Sequence, residues 1–388
     1  MQNLYSTFDS LINKKKTLLG VGPMSLNVID SSIELADLYK VPIMLIASRR
    51  QIDSHIYGGG YVNNWSTSQY SKYVKKKSKT RNIFLARDHG GPWQNNLDIE
   101  NKISEKKAML SAKKSFENDI ENDFKFIHID TSIDIHKKIN FKSSMERLYE
   151  LYEHCYSYSQ KKGKEILFEI GTEEQNGSTN SFEELRETLN CLSKFCKKNK
   201  LPKVTFVVIQ SGTKVMERRN IGSFESPIRI KNEIPVEIHL IKILEICKEF
   251  NVCMKEHNTD YLSDESLKWH PKIGIHAANV APEFGVSETL SLINMLKKFN
   301  LKNYLNRFLE ISYNSKKWEK WVINEKLISD YEKSIISGHY IFSSSDFLKI
   351  KKELNYIFEK KKINLDNELK KSIKKSILRY LNCFELIK

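Results

Sequence analysis

Between Leu85 and Trp93 the chain reads LARDHGGPW, which places an arginine, a carboxylate, an imidazole and two glycines in five consecutive positions. A neutral imidazole nitrogen is a ligand for divalent metals. A neighbouring carboxylate can move protons on a substrate that such a metal polarises. On an extended backbone Asp88 and His89 point to opposite faces. Gly90 and Gly91 permit a rotation that brings them together, and Pro92 limits its range. The competing reading is that both side chains only pair with local backbone groups.

His257, in KEHNTDYL, tips the balance towards chemistry, with Glu256 and Asp260 close by. Two histidines and one further oxygen or nitrogen ligand make a catalytic metal site with open positions. Gln210 in VVIQSG, or Glu169 or Glu173 in EILFEIGTE, are the candidates for that third ligand. His276 in GIHAAN reads as a contact to a substrate oxygen. Asp130, Asn258, Asp260 and Asn279 are further substrate-contact candidates, and His128 reads as a core histidine. The remaining histidines read as surface or satisfied polar groups. Arg49 and Arg50, with Lys214, Arg218 and Arg219, offer positive charge and guanidinium forks that suit phosphate oxygens. The turn HAANVAP could add backbone amides. The stretch GGGYVNNWSTSQY (58–70) is either a lid over the site or an ordinary long connection that ends in a capped helix.

These residues need elements to bring them together, and the chain has a rhythm that can. Eight short apolar runs, TLLGVGP, VPIMLIAS, NIFLARDHG, FKFIHIDTS, EILFEIGTE, KVTFVVIQSG, VCMKEHNTD and KIGIHAANV, each lead into a polar turn. Most are rich in β-branched or aromatic residues, as buried parallel strands are. Between them lie segments such as FEELRETLNCLSKFCKK, whose apolar positions repeat every three to four residues. Eight such units over about 290 residues fit a (β/α)8 TIM barrel with insertions. A doubly wound sheet is the competing α/β architecture, but the first junction, GVGPMS, lacks a glycine-rich dinucleotide fingerprint. The expected organisation is a barrel over 1–300 and a helical C-terminal extension over 301–388. All the ionisable motifs fall at strand C-termini, the face where barrels place their active sites.

The 388 residues include 63 Lys+Arg and 48 Asp+Glu, a formal charge of +15. Residues 301–388 carry 19 of the basic and 11 of the acidic residues. Their lysines alternate with apolar residues at helical spacing, which reads as a solvated helix face and not as a nucleic-acid surface. Six cysteines form no CxxC pair, as expected of reduced thiols in a cytoplasmic protein. No apolar run reaches the roughly 20 residues that a membrane span needs, and the N-terminus lacks a signal-peptide core. Neither nucleic acid nor membrane is an expected partner.

The motif order GVGP…VIDSSIELA, GG-Y, DHGGP, IGTEE, HNTDYL, HAANVAPEFG and GHYIFSSSDFLKIKKEL resembles the class II tagatose-bisphosphate aldolase-like family, in particular its "non-catalytic" Z-type subunits. That resemblance covers most of the chain and implies a TIM barrel related to zinc-dependent class II aldolases. It implies a divalent metal, zinc in the related aldolases, bound by His89 and His257. Gln210 stands where the aldolases have a third histidine. Asp88 would exchange a proton with the aldehyde-derived oxygen, and Glu169 or Glu173 would handle the proton on carbon. The implied activity is a carbon–carbon lyase on a ketose phosphate. A stabilising subunit of a separate class II aldolase and a sugar-phosphate epimerase or isomerase are the alternatives. The implied partners are the phosphorylated sugar, an aldolase subunit and further copies of the chain in a homo-oligomer.

Overall fold

In a computed structural model, residues 14–171, 182–210, 214–222 and 236–387 are described. Eight parallel strands close into a barrel: β1 (Leu18–Val21), β2 (Ile43–Ser48), β3 (Ile83–Gly90), β4 (Phe126–Asp130), β5 (Leu167–Gly171), β6 (Phe206–Ile209), β9 (Cys253–Glu256) and β10 (Ala277–Val280). Two more strands, β7 (Lys214–Met216) and β8 (Arg219–Ile221), form an antiparallel hairpin after β6. Each barrel strand pairs with the next one in the chain, and β10 closes on β1 through Leu18↔Ala277. The fold is the (β/α)8 barrel expected from the alternation. The strands are shorter than the apolar runs because turn residues end them. After β9, for example, Asn258 and Tyr261 take left-handed φ values of 57° and 61°.

Alternation along each strand sorts side chains to the two faces of the barrel wall. Leu18, Met44, Ile46, Ala86, Phe126, Leu167, Phe206 and Ala277 fill the barrel interior. Leu19, Val21, Leu45, Ile127, Ile170 and Met254 face the helices and form the larger outer core. The interior packing gives the polar mouth above it an apolar, water-excluding floor. Helix starts follow the local sequence. Ser25 accepts from the Val28 amide at 3.1 Å, and Ser66 forms a reciprocal capping box with Gln69.

Beyond residue 301 the expected helices form, over Lys302–Asn314, Asp330–Ser337, Ser345–Glu359 and Leu365–Cys383. The extension is not a detached appendage. Ile373, Ile377, Tyr380 and Leu381 of its last helix are buried in the barrel's own core. Each such aliphatic side chain contributes roughly 1.5–3 kcal/mol by leaving water. The Thr17 amide, just before β1, donates to the Phe384 carbonyl at 3.3 Å. None of the described helices is long and apolar enough to cross a membrane. All six cysteines are free, as expected.

Candidate active site

The DHGG motif is a β-bulge. Arg87 pairs with Ile127 of β4, but the next pairing is Gly90 with Ile129, so β3 carries one residue more than β4 across this interval. His89 takes the extra step with φ at 44°. That turn brings Asp88 and His89, which a regular strand would separate, onto the same cavity. Gly91 permits the close approach: a Cβ there would lie 1.9 Å from the Asp130 carbonyl oxygen.

At the cavity floor three imidazoles surround one carboxylate. Asp88 Oδ2 lies 3.8 Å from His89 Nε2, and Asp88 Oδ1 lies 3.7 Å from His257 Nε2 and 3.5 Å from His128 Nδ1. One ligand atom each from Asp88, His89 and His257 falls within 4.8 Å of the others. Burial opposes ionisation of Asp88, but His89, His128 and His257 outweigh it and hold the carboxyl well below its usual range. Burial also works against an imidazolium at His89, yet Asp88 and Asp130 together raise its pKa. His257 goes the other way: burial, only partly offset by Asp88, pushes it down to about 4 and keeps the ring neutral.

Both ring orientations are fixed from behind. His89 Nδ1–H donates to Asp130 Oδ2 at 2.6 Å, and Asp130 is itself held by Gln94 at 2.8 Å and by the Ser132 amide at 2.9 Å. Gln210 Nε2 sits 2.9 Å from His257 Nδ1, while Asn258 donates to Gln210 Oε1. An amide can serve either histidine tautomer. Its NH2 donates to a bare Nδ1, or its carbonyl accepts from Nδ1–H and leaves Nε2 free. Histidines that bind metals are typically backed in this way by a carboxylate or amide. The cluster therefore fits a divalent cation held by His89 and His257, with Asp88 beside it and open positions left for substrate.

The cavity above this floor has a volume of about 330 Å³, and Arg50, Asp88, His89, Gln210, His257, Asn258, Asp260 and Asn279 all line it. Asn279 Nδ2 reaches Asp88 at 3.4 Å, and its buried Oδ1 has no hydrogen-bond partner among the described residues. Asp260 accepts from the Ala281 and Glu283 amides at 3.0 and 2.8 Å, capping the helix Pro282–Lys298. Burial and the nearby Glu283 charge push its pKa up to about 8.

Several expectations are corrected. Gln210 is turned to the back of His257, with Nε2 2.9 Å from Nδ1, and orients that ring. Glu169 is fully buried in an ion pair with Lys255, at 2.8 and 3.0 Å, and does not line the cavity. Arg49 is also fully buried and is consumed by Asp53 at 2.9 Å, Asp98 at 3.3 Å and the Gly91 carbonyl at 2.9 Å. His276 precedes β10 at the opposite end of the barrel, where its Nδ1 accepts from the Met254 amide at 3.1 Å. Arg218 forms a fork with Glu332 at 2.8 and 3.0 Å, and Arg219 pairs with Glu217 at 3.0 Å; neither lines the cavity. Glu173 lies outside the described residues. The 58–70 stretch is docked on the extension, with the Asn63 amide donating to Ser343 Oγ at 2.7 Å.

His128 is buried, as a core histidine should be, but shares the inner face of β4 with Phe126 and Asp130, a period-two pattern visible in FIHID, and so lies 3.5 Å from Asp88. Lining residues that were not foreseen are Lys317, Lys320, Trp321 and Tyr340, which reach the cavity from the extension. Their signal is the alternation of lysine and tryptophan in SKKWEKW, which breaks the otherwise solvated pattern.

A closed (β/α)8 barrel with a histidine–carboxylate centre at the C-terminal ends of its strands is thus the class that the coordinates define. No protein-family model matches the chain, and no curated protein matches it by sequence. Its fold is shared by solved structures of low sequence identity. A probable tagatose 6-phosphate kinase from Sinorhizobium meliloti 1021 superposes with a TM-score of 0.72 at 16% identity, over 95% of this chain and 100% of that one. A fructuronate–tagaturonate epimerase from Cohnella laeviribosi gives 0.60 at 12%, over 95% of this chain and 81% of that one. A fructose-bisphosphate aldolase from Campylobacter jejuni gives 0.57 at 11%, over 99% and 94%. The shared property is the barrel fold.

Proposed function

We propose that the chain is a metal-dependent, aldolase-type carbon–carbon lyase acting on a ketose phosphate. The observation that carries this reading is the convergence of His89, His257 and Asp88, with ligand atoms within 4.8 Å, at the floor of the cavity. A divalent cation held there would polarise a carbonyl oxygen and stabilise the enediolate charge of a retro-aldol cleavage. The protein's own groups do the rest. Asp88, kept ionised by its histidines, takes the proton from the substrate hydroxyl as the carbon–carbon bond breaks, and returns it in the condensation direction. The bond electrons pass to the ketose-derived fragment, which then takes a proton at carbon. Glu169 cannot supply that proton while it is paired with Lys255, and Glu173 is the other carboxylate that the family resemblance implies for this step. Asn279 and Asn258 are placed to orient substrate oxygens.

Metal content of the full-length protein purified without chelator, compared with His89→Ala and His257→Ala, tests this reading. Near-stoichiometric metal lost in both variants is expected, with release of aldehyde and ketone products from a ketose phosphate. Failure to retain zinc, cobalt or manganese after reconstitution would sink it. Metal binding with interconversion of sugar epimers, and no cleavage, would replace the lyase by an epimerase on the same centre.

A further inference from the structure

Along one side of the cavity lie three cations that form no ion pair among the described residues. Arg50 follows β2, while Lys317 and Lys320 come from the extension. Among the described residues none of the three forms an ion pair, and the buried Arg50 Nε has no hydrogen-bond partner. Lys320 Nζ rests 4.4 Å from the Trp321 ring centroid and 5.5 Å from that of Tyr340. Trp321 Nε1 donates to Tyr340 Oη at 3.0 Å, and Tyr340 lies against Tyr61 at 5.2 Å, so an aromatic wall fixes the lysine's direction. Unpaired positive charges crowded at a cavity wall repel one another unless an anion joins them.

We propose that Arg50, Lys317 and Lys320 bind the phosphate monoester of the ligand, so that the C-terminal extension completes the substrate cavity. The inference rests on the reading of the cavity as a ligand site, but not on the metal. A dianion matches the set better than a single carboxylate, since a guanidinium fork and two ammonium groups together supply more charge and more donors than a carboxylate can use. Lys320 is an exposed residue, yet burial around its ammonium, with Arg50 and Lys317 nearby, lowers it to about 8. The other ionisable groups facing this wall are Tyr61 and Tyr340, both raised and therefore neutral, Asp260, Asp130 and His89 near Arg50, and His339 near Lys320, held neutral by burial.

The test is calorimetric titration of the full-length chain with inorganic phosphate, and with acetate as a carboxylate control, with and without zinc. Phosphate is expected to bind better than acetate under both conditions. Lys320→Gln is expected to weaken phosphate binding about tenfold and Arg50→Gln at least as much, with thermal stability retained. Wild-type affinity is expected to fall between pH 7.5 and 9.0, although phosphate only gains charge over that interval. Lys320→Arg is expected to keep its affinity at pH 9.0. An equal fall in Lys320→Arg would assign the pH dependence to another group and remove Lys320 from the site. Phosphate binding that needs zinc, or acetate binding as tight as phosphate, would overturn the proposal. Binding of phosphate by a protein that holds no metal would sustain it and reject only the lyase reading.

Discussion

Arg49 and Arg50 are neighbours in the chain with opposite fates. Arg49 turns behind β2 and β3 into a network in which every charge has its counterpart. Its guanidinium meets Asp53, Asp98, Ser111 and the Gly91 carbonyl, while beside it Arg87 forks onto Asp119 at 2.6 and 2.7 Å and binds the Ala47 and Ile52 carbonyls. Arg50 turns forward into the cavity and meets no carboxylate among the described residues. Structure is built where charge is closed on itself. Function is built where charge and lone pairs are held in place yet left open, as at Arg50, Asn279 Oδ1 and the His89–Asp88–His257 centre. Arg50, Asp88 and His89 of the open region hang on the same two strands as the closed one, so the closed one supports them.

Breaking the closed side has the largest expected effect. Arg87→Ala leaves Asp119 as a buried, uncompensated carboxylate and orphans two backbone carbonyls. A loss of about 3–5 kcal/mol is expected, measured as a shift of the urea denaturation curve. A loss under about 1 kcal/mol would show that the network is not the support it is argued to be.

Asp130→Asn breaks the open side with less damage to the fold. The substitution removes the charged acceptor behind His89 while keeping a side chain of the same shape. Metal affinity is expected to fall 10- to 100-fold, read by competition with a chromogenic chelator, with stability changed by less than about 1 kcal/mol. A stability loss as large as that of Arg87→Ala would move Asp130 to the structural side of the comparison.

The contrast between the two arginines also marks where sequence reading stops. Runs such as VPIMLIAS and KVTFVVIQSG announce strands, because burial on both faces requires continuous apolar residues. Eight of them in alternation with helical segments make the barrel and its functional face legible. The pairing of Asp88 with His89 was legible as chemistry, and the two glycines as the means of turning. Which way a side chain turns was not. Arg49 and Arg50 are indistinguishable by type and spacing, and their directions depend on Asp53 and Asp98, whose positions only the folded loops define. Glu169 read as a site carboxylate because its partner Lys255 lies 86 positions away. Lys320 was hidden in a tail most of whose lysines lie on solvated helix faces.

Asp260 belongs to both regions, since it lines the cavity and caps the helix Pro282–Lys298, and its pH dependence is the subtlest way to sharpen the comparison. Its folded-state pKa is raised to about 8, from an ordinary 3.8, by burial and by Glu283. The unfolded chain releases this proton first, so between those two values the native state binds more protons. Stability from this group is therefore full below about pH 4 and declines as pH rises towards 8. Asn at this position keeps an acceptor for the Ala281 and Glu283 amides and has no proton to lose. The melting temperature of Asp260→Asn, relative to wild type, is expected to rise steadily from pH 5 to pH 8 and then level off. A difference that stays flat with pH would mean that Asp260 is ionised in the native state and that its two amide donors outweigh burial. The residue would then be one more closed charge of the kind that surrounds Arg49.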